Sequence, residues 1–391
     1  MFDASFFADP YPVYDRLRSA SPVLKVDGAM GPLPVWLITG YAEARAAFAN
    51  PGISKDTRRF QPLLSQGPKP RNVNPAVAAS MLATDPPGHT RLRRLVTGAF
   101  TAATVDGLRP RIQQLTDELL DKIAPAGEAD LIESLAVPLP VTVISELLGV
   151  PEPDRDMLRR LSDDNYAAGD HRVRDHASHQ IAGYMASLIA AKRVNPDDGL
   201  LSRLIAARDG TDELSEEELV SLAVLLLVVG HETTTSLMGN AVLALLQHPG
   251  QLAALQQNLS LIPAAVDELL RYESPAAIAT IRFTAEPVTI GGITIPAGQV
   301  VLISPAAANR DPARYEAPAT FDLCRDAGGH LAFGYGIHHC IGARLARAET
   351  EIALTSLLRR FPGLQITDSQ DTLRWRHTRL LRSLQILHVR W

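Results

Sequence analysis

Apolar positions recur with a helical period over most of this chain, and with a strand-like period in only a few short runs. Leu33-Pro34-Val35-Trp36-Leu37-Ile38 reads as a strand leading into a helix from Tyr41 to Phe48. Residues 50–83 carry Pro, Asn and Gln with little periodicity, which predicts a long loop or a set of short helices. Helical spacing resumes at His89 and runs to about Ile123, with further helices expected over 131–148, 153–168, 171–192 and 198–207. Ser215-Glu216-Glu217-Glu218 has the form of a capping box, with Ser215 as N-cap and Glu218 at the reciprocal position. It predicts a long helix to about Gln247, stopped by His248-Pro249-Gly250. A helix from Gln251 carries Glu268 and Arg271 and ends near Ser274-Pro275. Strand-like pieces follow at 279–284, 287–290, 293–295 and 299–303, separated by Gly and Pro. A last helix follows Cys340, and the tail from Leu364 to Trp391 reads as short strands. The sum is a mainly α chain with a small β part.

Composition narrows the classes. A chain of 391 residues holds one large domain or two ordinary ones, and its 46% apolar share is ordinary for a globular protein. A formal charge of -5 gives no sign of general nucleic-acid binding. Two cysteines, Cys324 and Cys340, fit a reducing compartment. The start, MFDASFFADPYPVYDRL, lacks a basic region ahead of an apolar run, which argues against a secretory signal. Leu219 to Leu246 comes nearest to a membrane span, but His231, Glu232 and several threonines interrupt it. The expectation is a cytoplasmic enzyme with no membrane span.

The stretch Phe333-Gly334-Tyr335-Gly336-Ile337-His338-His339-Cys340-Ile341-Gly342 turns tightly around one cysteine and leads at once into a helix. A thiolate ahead of a helix N-terminus gains from unpaired N–H groups and the positive dipole end. That arrangement suits an axial sulfur ligand to haem iron. The stretch closely resembles the haem-binding loop of soluble bacterial cytochromes P450, FGxGxHxCxG. The resemblance implies the P450 fold, with a long central helix and a proximal cysteine loop, as one domain over 1–391. Its parts would be a β-containing stretch 1–50, a helical core about 85–275, β pieces 279–303, the haem loop 333–342, and a C-terminal helix and strands 343–391. It implies haem b (iron protoporphyrin IX) ligated by Cys340, with Phe333, Gly334, His338 and Gly342 around the cofactor. His339 reads as a bystander. Cys324, in FDLCRD, has no glycine cradle and no helix directly after it.

Val229-Gly230-His231-Glu232-Thr233-Thr234 interrupts a Leu and Val run. Taken alone it is a buried helix with a polar stripe, and a buried carboxylate there is costly without partners or a role. The stretch is similar to the family's (A/G)GxxT motif with its acid. That likeness implies that Gly230 lets the helix pass close to haem, Thr233 bonds the oxygen species, and Glu232 feeds a proton relay. Val229 stands where many bacterial members carry Ala and would narrow the pocket above the ring. Thr234 and Thr235 are expected to bond backbone carbonyls. Asp85-Pro86-Pro87-Gly88-His89-Thr90-Arg91-Leu92-Arg93 resembles DPPxHxxxR, which implies propionate contacts for His89 and Arg93 on one helical face. Arg282, among apolar strand neighbours, matches the family's strand arginine with the same role. Glu268 and Arg271 resemble the structural ExxR motif, implying a buried ion pair tied to the cysteine loop and completed by Arg325. Asn309-Arg310-Asp311-Pro312 matches the region between them.

The activity so implied is a haem-thiolate monooxygenase that inserts one atom of O2, by regioselective C–H hydroxylation in preference to epoxidation. Electrons would come ultimately from NAD(P)H through a separate ferredoxin and its reductase, because the P450-like part uses the whole chain. Arg91, Arg94, Arg344 and Arg347 are candidates for a positive docking face for an acidic ferredoxin. The family's substrate-contact segments correspond to about 60–82, 155–190, 225–233 and 275–281. Leu82, Val229, Ala276, Ile278 and Ala279 are the lining candidates, and they imply a roomy apolar pocket. The chain looks like actinobacterial members that tailor secondary metabolites such as macrolides and other polyketides. Epoxidation or oxidative coupling of a terpenoid, steroid or aromatic product is the alternative. A non-catalytic haem sensor or carrier is a third reading, and the retained Glu232 and Thr233 argue against it.

Overall fold

Two short helices, α1 (Ala4–Ala8) and α2 (Tyr11–Ala20), precede the paired strands β1 (Val23–Gly28) and β2 (Gly31–Ile38). The structure is a computed structural model that describes residues 4–391 apart from 29–30, 61–62, 64–71, 79, 167–170, 198, 207, 210–211 and 368–371. After α3 (Tyr41–Ala49) and β3 (Ile53–Ser54), the aperiodic region gives only short pieces, among them α4 (Pro75–Ala78) and a 3-10 turn at Met81–Ala83. The helical stretch from His89 is two helices, α5 (Gly88–Thr97) and α6 (Ala102–Ile123), parted by a 3-10 turn at Gly98–Phe100. Then come β4 (Glu128–Asp130), a π turn at Ile132–Ala136, α7 (Pro138–Leu148), α8 (Glu152–Tyr166), α9 (His171–Val194) and α10 (Leu200–Ala206). A small hairpin, β5 (Arg208–Asp209) and β6 (Asp212–Glu213), leads to the long helix α11 (Glu216–Gln247).

The capping box forms as the sequence predicts. The Ser215 N–H donates to Glu218 Oε2 at 3.0 Å, and the Glu218 N–H donates to Ser215 Oγ at 3.2 Å. The helix expected from Gln251 is instead two, α12 (Pro249–Gln257) and α13 (Ile262–Tyr272). Asn258 divides them, its side chain accepting the Ser260 N–H, and a proline at the start of α13 resets the chain. Four short strands follow, β7 (Arg282–Thr284), β8 (Val288–Ile290), β9 (Ile293–Ile295) and β10 (Val300–Ile303). The chain ends with α14 (Pro305–Ala308), α15 (Ala343–Arg360), β11 (Gln365–Ile366) and β12 (His388–Arg390).

Packing groups these elements into two units. The first comprises Met1–Ser54, Val105–Leu139 and Thr233–Trp391. Its main sheet runs β1-β2-β10-β7-β3, with β10 parallel to β2 and antiparallel to β7. Val301 therefore stands opposite both Trp36 and Arg282. The apolar faces of β2 and β10 pack with Phe48, Ile290 and Leu331 into one core. A second sheet, β11-β12-β4, ties the C-terminus to the chain near Asp130. The second unit comprises Lys55–Thr104 and Pro140–Glu232, and in it α8 packs against α9.

α11 corrects one expectation. It is long and apolar enough to cross a bilayer. Within the protein most of its apolar stretch is buried, so the apolarity answers a core position on most of its faces.

Candidate active site

The cysteine loop is shaped by backbone constraints before any side chain acts. Gly334 and Gly336 hold φ of 71° and 76°, values that L side chains rarely adopt. A Cβ at Gly336 would lie 2.9 Å from the Phe48 carbonyl oxygen, so the loop presses against the end of α3 and admits only glycine there. The Cys340 N–H donates to the Phe333 carbonyl at 2.9 Å. Gly342 caps α15, and a Cβ on it would sit 4.0 Å from Cys340 Sγ, which places the sulfur beside the helix N-terminus. Both cysteines are exposed and outside any disulfide. Among the described residues no cluster of three His, Cys, Asp or Glu side chains could hold a metal ion. One sulfur at a helix start fits a metal carried by a prosthetic group.

Arg282 supplies the matching test for haem. It is 4% exposed, and among the described residues no carboxylate pairs with it. Its guanidinium donates to the Thr280 carbonyl at 2.9 Å and stacks over the Phe48 ring at 4.7 Å. Burial pushes its pKa down to about 10. A buried cation without an anion fits a group bearing carboxylates, as haem does. Phe48 thus touches both the arginine and the cysteine loop, and no sequence pattern marked it. His338 closes the 3-10 turn Gly336–His338 two residues ahead of Cys340.

Glu268 and Arg271 form a two-pronged ion pair with bonds of 2.6 and 2.7 Å, and both side chains are fully buried. Arg271 also donates to the carbonyls of Asn309, Pro318 and Thr320. Arg325 completes the cluster at 3.4 Å from Glu268. The pair reaches the loop indirectly: Asn309 Oδ1 accepts the Leu331 N–H at 2.7 Å, just ahead of Phe333.

In α11, Leu225, Val229, Gly230 and Thr233 are only half-buried, while Leu226–Val228, His231, Glu232, Thr234 and Thr235 are buried. Leu225, Val229 and Thr233, four residues apart, share one face, with Gly230 beside it. The space beside Gly230 is taken by Ile144, whose Cγ1 lies 3.0 Å from a would-be Cβ, so this glycine admits a close helix neighbour. Glu232 lies off the stripe, with Oε1 3.8 Å from His231 Nε2, while His231 Nδ1 is 2.8 Å from the Leu227 carbonyl. Thr235 does not bond a carbonyl as expected; its hydroxyl is buried without a hydrogen-bond partner among the described residues.

In the second unit, His89 is buried at the start of α5, and Arg93 follows one turn later. Burial lowers the His89 pKa, with Arg93 and Lys55 acting in the same direction and Asp85 against them. Leu82 is half-buried in its 3-10 turn. Ala276 and Ala279 are half-buried, and Ile278 is buried, at 3% exposed. Leu380, 39% exposed, accepts the Ala277 N–H and was not foreseen. Within the segments near 60–82 and 155–190, positions 61–62, 64–71, 79 and 167–170 lie outside the described residues. Of the docking arginines, Arg91 pairs with Glu218, and Arg347 with Asp267 at 2.9 Å. Arg94 and Arg344 are exposed.

A family model described as cytochrome P450 matches residues 141–380. The chain is 47% identical over 393 residues to cytochrome P450 107B1 of Saccharopolyspora erythraea, covering 100% of this chain and 96% of that protein. It is 48% identical over 389 residues to the cytochrome P450 monooxygenase PikC of Streptomyces venezuelae, covering 99% and 92%. The solved structure of PksS, the cytochrome P450 of the bacillaene polyketide synthase of Bacillus subtilis 168, superposes with a TM-score of 0.92. That match has 37% identity and covers 100% of this chain and 98% of that one.

Proposed function

The chain belongs to the cytochrome P450 family and is a monooxygenase, and from that premise we propose that it hydroxylates a macrolide or related polyketide at one C–H position. The observation that carries the substrate class is the half-buried stripe of α11. It is apolar at Leu225 and Val229 and carries one hydroxyl, at Thr233. Such a face favours a large apolar ligand with few polar anchors. The relative PksS belongs by its name to polyketide biosynthesis, which supports the same class.

When bound, haem b supplies the redox chemistry that reduces O2 and delivers one of its atoms. Cys340 would ligate the iron, and Phe333, Gly334 and Gly342 would shape the loop that presents the sulfur. Arg282, His338, His89 and Arg93 would take the propionates. Thr233 Oγ1 would hold a water at the stripe, and the Glu232 carboxyl would hold the proton that replenishes it. Glu268, Arg271 and Arg325 hold the segment that anchors the cysteine loop. Leu82, Val229, Ala276, Ile278 and Ala279 would shape the substrate pocket. We read the chain as one P450 domain that works in the cytoplasm. It would receive electrons from a separate ferredoxin and its NAD(P)H-dependent reductase.

The test is a reduced-plus-CO difference spectrum, then titration with macrolides and turnover under labelled O2. A band at about 450 nm that Cys340→Ser abolishes is expected for thiolate-ligated haem. A spin-state shift with a macrolide and one labelled oxygen in the product complete the expected result. Loss of a substrate double bond would mean epoxidation, and a carbon–carbon or aryl ether link would mean coupling. Either outcome overturns the hydroxylase assignment. A native protein that takes up haem without the thiolate band overturns the ligand assignment.

A further inference from the structure

A cluster on the cysteine side of the first unit has no part in the reading above. His330 Nδ1 accepts the Ala332 N–H at 3.2 Å, so its proton sits on Nε2, which faces Asp267 Oδ1 at 3.2 Å. Arg347 Nε donates to the same carboxylate oxygen at 2.9 Å. The Arg347 guanidinium lies over the Phe333 ring at 4.6 Å, and the His330 ring stands 5.8 Å from it. Asp267 comes from α13, Arg347 from α15, and His330 and Phe333 from the loop. Burial pushes the Asp267 carboxyl up, but the His330 hydrogen bond and the Arg347 charge outweigh it and hold the pKa below the ordinary carboxylate range. The imidazole side chain is 3% exposed, whereas Asp267 and Arg347 are about a third exposed, so the cluster spans from core to surface.

Phe333 is where this cluster meets the chemistry. Its carbonyl accepts the Cys340 N–H, so whatever fixes Phe333 also fixes how the cysteine backbone is held. A cation over its ring adds a positive potential on that side, and Asp267 offsets part of it.

We propose that His330, Asp267 and Arg347 are positioning residues for the haem thiolate. They clamp Phe333, and the balance of the Arg347 and Asp267 charges sets how strongly the sulfur donates to bound iron. The proposal rests on Cys340 being the haem ligand. It also reassigns Arg347 from partner docking to the support of the loop.

The test uses the holoenzyme and reads the ferric/ferrous potential by spectroelectrochemistry, with haem content and circular dichroism as controls. Asp267→Asn leaves the Arg347 charge unbalanced and should shift the equilibrium towards the ferrous state by about threefold to tenfold, where tenfold is about 59 mV for one electron. Arg347→Gln should shift it the opposite way, and the double variant should return to within about twofold of the parent. Opposite signs are the mark of a charge effect, since a merely structural role displaces both variants alike. Two single variants at the parental potential, or displaced in one direction, overturn the proposal. Should either lose haem, Arg347→Lys keeps the charge without the flat group over Phe333. Faster conversion of its CO complex from the form near about 450 nm to that near about 420 nm supports the clamp, and the parental rate overturns it. A parent protein with no thiolate band fails the underlying ligand assignment instead, which separates the two failures.

Discussion

Replacing Arg282 by methionine should move the protein's two forms in opposite directions. The guanidinium is 4% exposed, and its depressed pKa of about 10 corresponds to a desolvation cost of about 3 kcal/mol in the fold. Against that stand one hydrogen bond to the Thr280 carbonyl, worth about 1 kcal/mol, and the stack on Phe48, worth about 1 kcal/mol. Methionine keeps the apolar length and leaves the β7–β10 backbone pairing alone. The haem-free variant should therefore be as stable as the parent or more so by about 1 kcal/mol, read from urea unfolding by circular dichroism.

With haem bound, the sign reverses. The cation would face a propionate, and removing it leaves a buried carboxylate without its partner, at roughly 3–5 kcal/mol. Haem transfer from the variant to an excess of apomyoglobin should then be faster by roughly two powers of ten or more, since about 1.4 kcal/mol is tenfold. The reasoning is refuted if haem leaves at the parental rate while the haem-free variant is destabilised. That pattern would make Arg282 a packing residue of the sheet.

Three further outcomes test other parts of the structure. Glu268→Gln leaves the fully buried Arg271 charge without an anion and should cost roughly 3–5 kcal/mol in urea unfolding. Adding Arg271→Met should recover part of that loss, which a double-mutant cycle would measure. Glu349 on α15 is 2% exposed, and burial pushes its carboxyl up to about 8. The folded state then holds the proton more tightly than the unfolded chain, so stability is fullest below the ordinary carboxylate range and falls as pH rises through about 8. Glu349→Gln should flatten that decline and stabilise the protein above pH about 8 by up to about 5 kcal/mol, checked by urea midpoints across pH. Ser215→Ala removes the acceptor for the Glu218 N–H and should cost about 1 kcal/mol by the same unfolding assay.

What the sequence made legible follows how local each signal is. The bounds of α11 are set by a capping box and a His-Pro-Gly stop, both within a few residues, and the helix has the span they predict. The capped break between α12 and α13 was passed over, because one Asn inside a periodic run outweighs no apolar pattern. The main sheet joins β2 to β10 from distant parts of the chain, and no local rule reports such a partner. Motif spacing singled out Cys340, Glu268, Arg271 and Arg325, and in the structure Glu268 and Arg271 form a buried pair with Arg325 beside it. It could not find Phe48, His330 or Asp267, since each acts through contacts with residues distant in sequence.

Donor accounting separates Arg271 from Arg282. A guanidinium has five N–H donors. Arg271 places all five, two on the Glu268 carboxylate and three on the carbonyls of Asn309, Pro318 and Thr320. Nothing remains on it for a ligand, and its charge is matched, so its work is to hold α13 to the segment that leads into the cysteine loop. Arg282 places one donor, on the Thr280 carbonyl, among the described residues. Both groups are buried, so depth does not distinguish them; what differs is whether the fold itself supplies the counter-charge. The fold leaves Arg282 incomplete at a position joined through Phe48 to the loop that carries Cys340. One buried arginine is thus satisfied fully by the fold, while the other keeps four donors over among the described residues, which fits the proposal that Arg282 would meet a haem propionate.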